Sequence, residues 1–257
     1  MISAIVLSHN DEGSIARTLD SLIWCDEIIV IDDFSTDKTV DIAKKYTTNI
    51  HQHHLNDDFA AQRNYGLKIV EEGPARRSLG EGGEWILFVD SDEVVSAGLA
   101  KEIQESMEID CMGFYMKRQD WLFGKRLRHG ETGRVRLLRL AKKDAGKWER
   151  TVHEVWNVNG ITGELSHTLD HFPHPDVAQF INEINHYSTL NARYLYSKNV
   201  HVRWWHIIVY PKAKFFLDYI WYLGFLDGTA GAIMALMMSL HSFLTRAKLY
   251  LLWRTHE

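Results

Sequence analysis

The chain has little cysteine. Cys25 and Cys111, two residues in 257, are too few for a disulfide framework or a cysteine-ligated zinc site. It also lacks an excess of basic charge. Lys and Arg number 29 against 34 Asp and Glu, a net charge of −5, which argues against nucleic acid as a partner. Internal repeats and low-complexity tracts are absent. With 46% hydrophobic and 25% charged residues, disordered and collagen-like chains are excluded. The opening Met1-Ile2-Ser3-Ala4-Ile5-Val6-Leu7 has neither a basic flank nor a long apolar core, so it does not read as a signal peptide, and a reducing cytoplasm is expected. Aromatic residues, by contrast, are plentiful at 12%, with nine Trp.

Short apolar runs alternate with amphipathic stretches over the first hundred residues. Strands are predicted at 2–7, 27–31, 49–51 and 85–89, and helices at 13–23, 36–46, 59–70 and 96–107. Ser35, Thr36 and Asp37 are capping residues for the second helix. Such β-α alternation predicts a mainly parallel sheet with helices on both faces. Residues 71–84, rich in Gly and charge, read as a surface loop. Strands of another character are expected at 111–116 and 134–140. From Asp176 onward the pattern is helical, with Val177, Phe180, Ile181, Ile184, Tyr187, Leu190 and Leu195 forming a stripe.

In an open α/β sheet, ligands bind beyond the carboxyl ends of the strands. Three predicted strands run into polar residues at that end. The first leads to Ser8-His9-Asn10-Asp11-Glu12, the second to Asp32-Asp33-Phe34-Ser35, and the strand at 85–89 to Asp90-Ser91-Asp92-Glu93. Asp32 and Asp37 also suit helix capping, and Glu12 suits the first turn of a helix. The Asp90 and Asp92 carboxylates leave a buried strand two residues apart. Their mutual repulsion is best relieved by a cation, and oxygen ligands suit Mg²⁺ or Mn²⁺ bridging a diphosphate.

These motifs, with Gln62-Arg63-Asn64-Tyr65-Gly66 between them, resemble glycosyltransferase family 2 in order and spacing. The resemblance implies a GT-A fold, a Rossmann-like, mainly parallel mixed sheet. Val152-His153-Glu154 and Gly224-Phe225-Leu226-Asp227-Gly228 extend it toward the branch of bacterial lipopolysaccharide-core β-glucosyltransferases. It implies a UDP-sugar donor and inverting transfer. Ser8, Asn10 and Glu12 would line the nucleotide. Asp32 or Asp33 would accept hydrogen bonds from uracil or ribose, and Arg63 would approach the base or diphosphate. Ser91 would line the donor site, Asp90 would contact ribose or metal, and Asp92 would ligate Mg²⁺ or Mn²⁺ directly.

Inverting transfer needs a base for the acceptor hydroxyl. Glu154 is the candidate and His153 its competitor. The Glu-Asp pair that many family members carry here is missing. By the same resemblance, His171, with Phe172, Pro173 and His174, would complete the metal shell or touch the diphosphate; the alternative is a His-rich turn before a helix.

Between Lys117 and Arg150 stand twelve Lys or Arg and four Asp or Glu, interleaved with Trp121, Phe123 and Trp148. This asymmetry suggests contact with anions: phosphorylated sugars, lipid headgroups or the donor diphosphate. The last 57 residues carry twelve aromatics. Residues 228–245 have no formal charge, and Asp227-Gly228 reads as a break between helices. Aromatics flanked by cations suit helices lying in a membrane interface, more than a true span. The alternative is a tail packed as core or as a homodimer contact.

The expected organisation is a nucleotide-sugar-binding half at 1–110, an acceptor-side half at 111–175 and a C-terminal helical, membrane-associating extension at 176–257. The chain then reads as a metal-dependent glycosyltransferase, peripheral on the inner face of the cytoplasmic membrane. It would move a hexose, glucose foremost, to a lipid-linked or lipopolysaccharide-core sugar. The rivals are a docking or carbohydrate-binding protein with a dead nucleotide site, and a haloacid-dehalogenase-like phosphatase. The phosphatase lacks its later acidic pair.

Overall fold

The computed structural model describes residues 1–72, 85–150 and 154–255. The chain divides into two compact units. The first comprises Met1–Arg118 and Arg136–His171, the second Gln119–Val135 and Phe172–Glu257.

The first unit is built on a mixed sheet. Its strands are β1 (Ile2–Ser8), β2 (Glu27–Asp32), β3 (Ile50–Gln52), β4 (Trp85–Asp90), β5 (Glu93–Val95), β6 (Gly113–Leu122), β8 (Arg136–Lys142) and β11 (Thr162–His171). A short β7 (Lys125–Arg126) follows β6, whose last four residues belong to the second unit. The order is β3-β2-β1-β4-β8-β6-β11-β5. Strands β3, β2, β1 and β4 run parallel, and β8 is antiparallel to β4. The parallel centre is apolar on both faces because helices cover both. On β1, Ala4 and Val6 join one core and Ile5 the other. On β4, Trp85, Leu87 and Val89 oppose Ile86 and Phe88 in the same way.

The helices of this unit are α1 (Ile15–Asp20), α2 (Thr39–Ala43), α3 (Phe59–Glu72) and α4 (Ala97–Ser106). Ser96 caps α4, its side chain accepting from Leu99 N at 3.2 Å. On α3, a Cβ at Gly66 would lie 2.9 Å from Ile5 Cγ2, so glycine lets the helix sit close on β1. The predicted helix at 36–46 forms only as α2. Residues 35–37 instead spend their hydroxyls and carboxylates on the strand exits. A β-hairpin of β9 (Gly146–Glu149) and β10 (Val155–Val158) forms a separate two-stranded sheet. The predicted loop at 71–84 lies, from residue 73 on, outside the described residues.

The second unit is mainly helical: α5 (Val177–Ser197), α6 (His206–Phe216) and α7 (Gly228–Thr255). Asp176 caps α5, accepting from Gln179 N at 2.8 Å. One π-helical turn spans Leu217–Trp221 and one 3₁₀ turn Gly224–Asp227. The chain does break at Asp227-Gly228, where Gly228 has φ 63°. Its core joins Phe180, Ile184, Leu122, Leu127 and Ala230. Lys248 Nζ fastens α7 to α5, donating to Asn185 O at 2.6 Å and to Asn185 Oδ1, Ser188 Oγ and Thr189 Oγ1, each at 2.8 Å. Gly224–Thr255 is long and apolar enough to cross a membrane by length and composition, yet it packs against α5 and α6.

Candidate active site

The parallel strands β1, β2 and β4 end on one edge, and the three polar exits meet there. Both outer turns pass through left-handed backbone, at Asn10 (φ 55°) and Phe34 (φ 49°). Asn10 ties the first exit to the second. Its Oδ1 accepts from Thr36 N at 2.8 Å and its N donates to Ser35 Oγ at 2.9 Å. Glu12 Oε2 accepts from Lys38 N at 3.1 Å, and Glu12 N donates to Asp37 Oδ2 at 3.0 Å.

Asp32 is fully buried, and both its oxygens are engaged. Oδ1 accepts from Ser8 Oγ at 3.2 Å and Ser35 Oγ at 2.5 Å, and Oδ2 accepts from Ser35 N at 2.9 Å. Asp33 is more open. It accepts from Leu55 N at 3.2 Å and faces His54 Nδ1 at 3.4 Å and His9 Nδ1 at 3.7 Å. Of the two carboxylates, Asp33 is therefore the one with capacity for a ligand. Ser91 is buried. Its carbonyl accepts from Thr18 Oγ1 at 2.8 Å, and its hydroxyl donates to Asp11 Oδ2 at 2.5 Å. Burial pushes the Asp11 carboxyl up to about 6 despite that bond.

The centre of the site is an ion-pair network. Arg63, only 2% exposed, donates from Nη2 to Asp90 Oδ1 at 2.7 Å and from Nε to Glu154 Oε1 at 3.0 Å. Its guanidinium lies 4.7 Å from the Trp148 ring centroid and 5.6 Å from that of Phe88. Trp148 is fixed there by Asn64. Asn64 Nδ2 donates to Trp148 O at 2.9 Å, and Trp148 N donates to Asn64 Oδ1 at 3.0 Å. The motif at 62–66 thus packs α3 through Gly66, aims Arg63 and holds the indole over it.

Arg139 on β8 closes the network from the other side, donating from Nη2 to Asp90 Oδ2 at 2.5 Å. Glu93, fully buried, lies 3.5 Å from Arg139 and accepts from Asp90 N at 2.9 Å. Burial alone would raise the Asp90 carboxyl, but Arg139 and Arg63 outweigh it and hold it well below the usual range. Burial does prevail at Glu93 and pushes it up, Arg139 notwithstanding. Among the described residues, Arg63 Nη1 and Arg139 Nε and Nη1 are buried without a hydrogen-bond partner.

Asp92 sits apart from this network. Its Oδ2 is 3.3 Å from His171 Nε2. Strand β11 delivers that histidine by pairing antiparallel with β5, His171 opposite Glu93. Asp90 turns its oxygens to the two arginines, so Asp90, Asp92 and His171 do not gather as three ligands. Among the described residues no group of three or more His, Cys, Asp or Glu is placed to hold a metal ion. A carboxylate in contact with an imidazole still fits a divalent cation that takes its other ligands from a diphosphate and water.

His153 lies outside the described residues. His174 belongs to the second unit, where it stacks on Phe180 at 3.6 Å and lies 3.0 Å from Glu183. Glu93 stands in the third polar exit, but Arg139 carries no mark of the site in the sequence. Arg139 sits in a run of basic residues, and nothing in its local pattern separates it from the exposed ones.

The α/β edge thus carries two carboxylates, a buried Arg and a distant Glu brought to that Arg. The family described as Glycosyl transferase family 2 matches residues 3–154. The chain belongs to that family and is a glycosyltransferase. It is 24% identical over 258 residues to the lipopolysaccharide core biosynthesis glycosyltransferase LpsC of Rhizobium meliloti, covering 97% of this chain and 92% of that protein. Among solved structures it is similar to S. aureus TarS 1–349 in complex with UDP-GlcNAc, with 16% identity, 100% and 92% of the two chains covered, and a TM-score of 0.44. It is also similar to glucosyl-3-phosphoglycerate synthase from Mycobacterium tuberculosis in complex with Mg²⁺ and UDP, with 14% identity, 79% and 80% covered, and a TM-score of 0.45.

Proposed function

We propose that this glycosyltransferase moves a hexose, glucose foremost, with inversion from a UDP-sugar to a lipid-linked or lipopolysaccharide-core saccharide at the inner face of the cytoplasmic membrane. One observation carries the reading: Arg63 joins the strand-exit carboxylate Asp90 to Glu154, 91 residues away in sequence. That link puts a candidate base beside the edge where a nucleotide donor would lie. The likeness to LpsC supports the choice of acceptor.

Asp33 would accept from the uracil or ribose, and the turn at Ser8, Asn10 and Glu12 would frame it. Asp92 and His171 would hold Mg²⁺ or Mn²⁺, which when bound supplies positive charge against the departing diphosphate. The charge of Arg63 and Arg139, both paired with Asp90, would oppose the same build-up. Glu154, an acceptor-only group when ionised, would take the proton of the attacking hydroxyl. The apolar, aromatic second unit would hold the enzyme at the membrane surface.

A panel of nucleotide sugars, assayed for release of nucleoside diphosphate with and without Mn²⁺, tests this. UDP release that depends on both a hexose donor and the metal is expected. A protein that binds UDP but turns over none of the panel would instead be a binding module with a dead site.

A further inference from the structure

The second unit contains a cavity of about 300 Å³ that the reaction does not use. It is lined by Arg128, His129, Arg134, Trp221, Tyr222 and Leu223, with glycines between. The loop that forms one wall is tightly constrained. Buried Asp227 accepts from Arg128 N at 3.0 Å and His129 N at 2.8 Å, and it faces His129 Nδ1 at 2.9 Å. Gly130, at φ 73°, donates from N to Tyr222 O at 2.9 Å, which joins this wall to the other. A Cβ at Gly133 would stand 2.5 Å from Arg128 O, so the loop closes only with glycine there. The cavity is therefore made by fixed backbone.

Its chemistry is one-sided. No lining residue is acidic and none carries an amide side chain. Arg128 and Arg134 form no ion pair with a carboxylate among the described residues. Arg134 lies instead 4.4 Å from the Tyr222 ring centroid. The neighbouring Glu131 is already paired with Lys214. A neutral sugar is gripped through acceptors as well as donors, and this wall offers mainly donors. Two guanidiniums without counter-ions call for phosphate. Beside them Trp221 is 71% exposed, and Leu223, Phe225 and Leu226 are exposed as well. Exposed indole and aliphatic groups next to cations belong where water meets acyl chains.

We infer that this cavity binds the phosphate of an anionic lipid headgroup, with Trp221 and Leu223 entering the acyl boundary. The inference rests on the membrane-surface part of the proposed function and uses nothing of the donor site.

Flotation of the full chain with phosphatidylcholine vesicles, with and without phosphatidylglycerol, tests it. Binding should require phosphatidylglycerol. Arg128→Gln with Arg134→Gln should weaken it about 30-fold, since each cation at an anionic surface contributes roughly fivefold. Lys44→Gln with Lys101→Gln removes the same charge from exposed positions of the first unit and should weaken it much less. Circular dichroism checks that both double variants fold. Equal binding by the two double variants would overturn the inference. So would a wild-type protein that binds inorganic phosphate or glucose 1-phosphate but does not float. UDP-sugar hydrolysis in solution, measured on the same proteins, separates the two readings. Its absence with vesicle binding intact would count against the proposed donor and leave the lipid site standing. Its retention without flotation would sink the lipid site and the membrane-surface part of the proposed function together, whereas flotation weakened equally in the two double variants would sink the lipid site alone.

Discussion

Arg139 donates to Asp90 at 2.5 Å from a strand that runs antiparallel to the one carrying the aspartate. The side chain is 6% exposed and also lies 3.5 Å from Glu93, which is fully buried. It therefore faces two carboxylates at the head of the donor edge. Arg139→Met would take from Glu93 and Asp90 the guanidinium that acts on both. Breaking one side of such a buried network costs about 3–5 kcal/mol. Urea denaturation should show that loss, with Arg139→Lys intermediate. A Met variant as stable as wild type would mean that the network does not hold the site.

Asp92→Asn should lower transfer by on the order of 10²-fold or more while the fold is kept. The carboxylate makes its contact with His171 and lies outside the Arg63–Arg139 network, so its loss should spare stability. Manganese titration of UDP release is the measurement. Undiminished activity of a folded Asp92→Asn enzyme would remove the cation from this position.

Glu154→Gln keeps an oxygen that can accept from Arg63 Nε but loses the capacity to take a proton. Turnover should fall by ~10²–10⁴-fold, with the dissociation constant for UDP-sugar little changed. The two quantities are separable by calorimetry and steady-state kinetics. Retained turnover in this variant, with loss in His153→Ala, would assign the base to His153.

Glu102 supplies a pH test independent of the reaction. Burial would raise this carboxyl, but the N–H groups of Ser166 and His167, at 2.7 and 2.9 Å, and the His167 ring outweigh it and hold it at about 2. A carboxyl depressed on folding stabilises the protein above its unfolded value, near 4.5, and that contribution is lost as pH falls toward 2. Thermal midpoints of wild type should therefore drop through this window. Glu102→Gln should have a lower midpoint at pH 7 and a flatter acid limb. Parallel curves for the two proteins would show that the α4–β11 contact does not carry the linkage.

The sequence alone determined the parallel half of the sheet and the three polar exits. Both are local: a buried parallel strand is a continuous apolar run, and its ligand end is the polar residues next in line. The Asp227-Gly228 break was legible for the same reason. Tertiary structure decided which members of those exits are free. Asp32 and Asp33 are equivalent in sequence, yet hydroxyls from Ser8 and Ser35 saturate the first and leave the second. It also decided the long-range partners. His171 reaches Asp92 only because polar β11, with no clean alternation to reveal it, pairs with the three-residue β5. Arg139 reaches Asp90 because β8 lies against β4, and Glu154 reaches Arg63 across 91 residues. Which arginine in a basic stretch is buried depends on what the chain brings against it, and no local spacing encodes that.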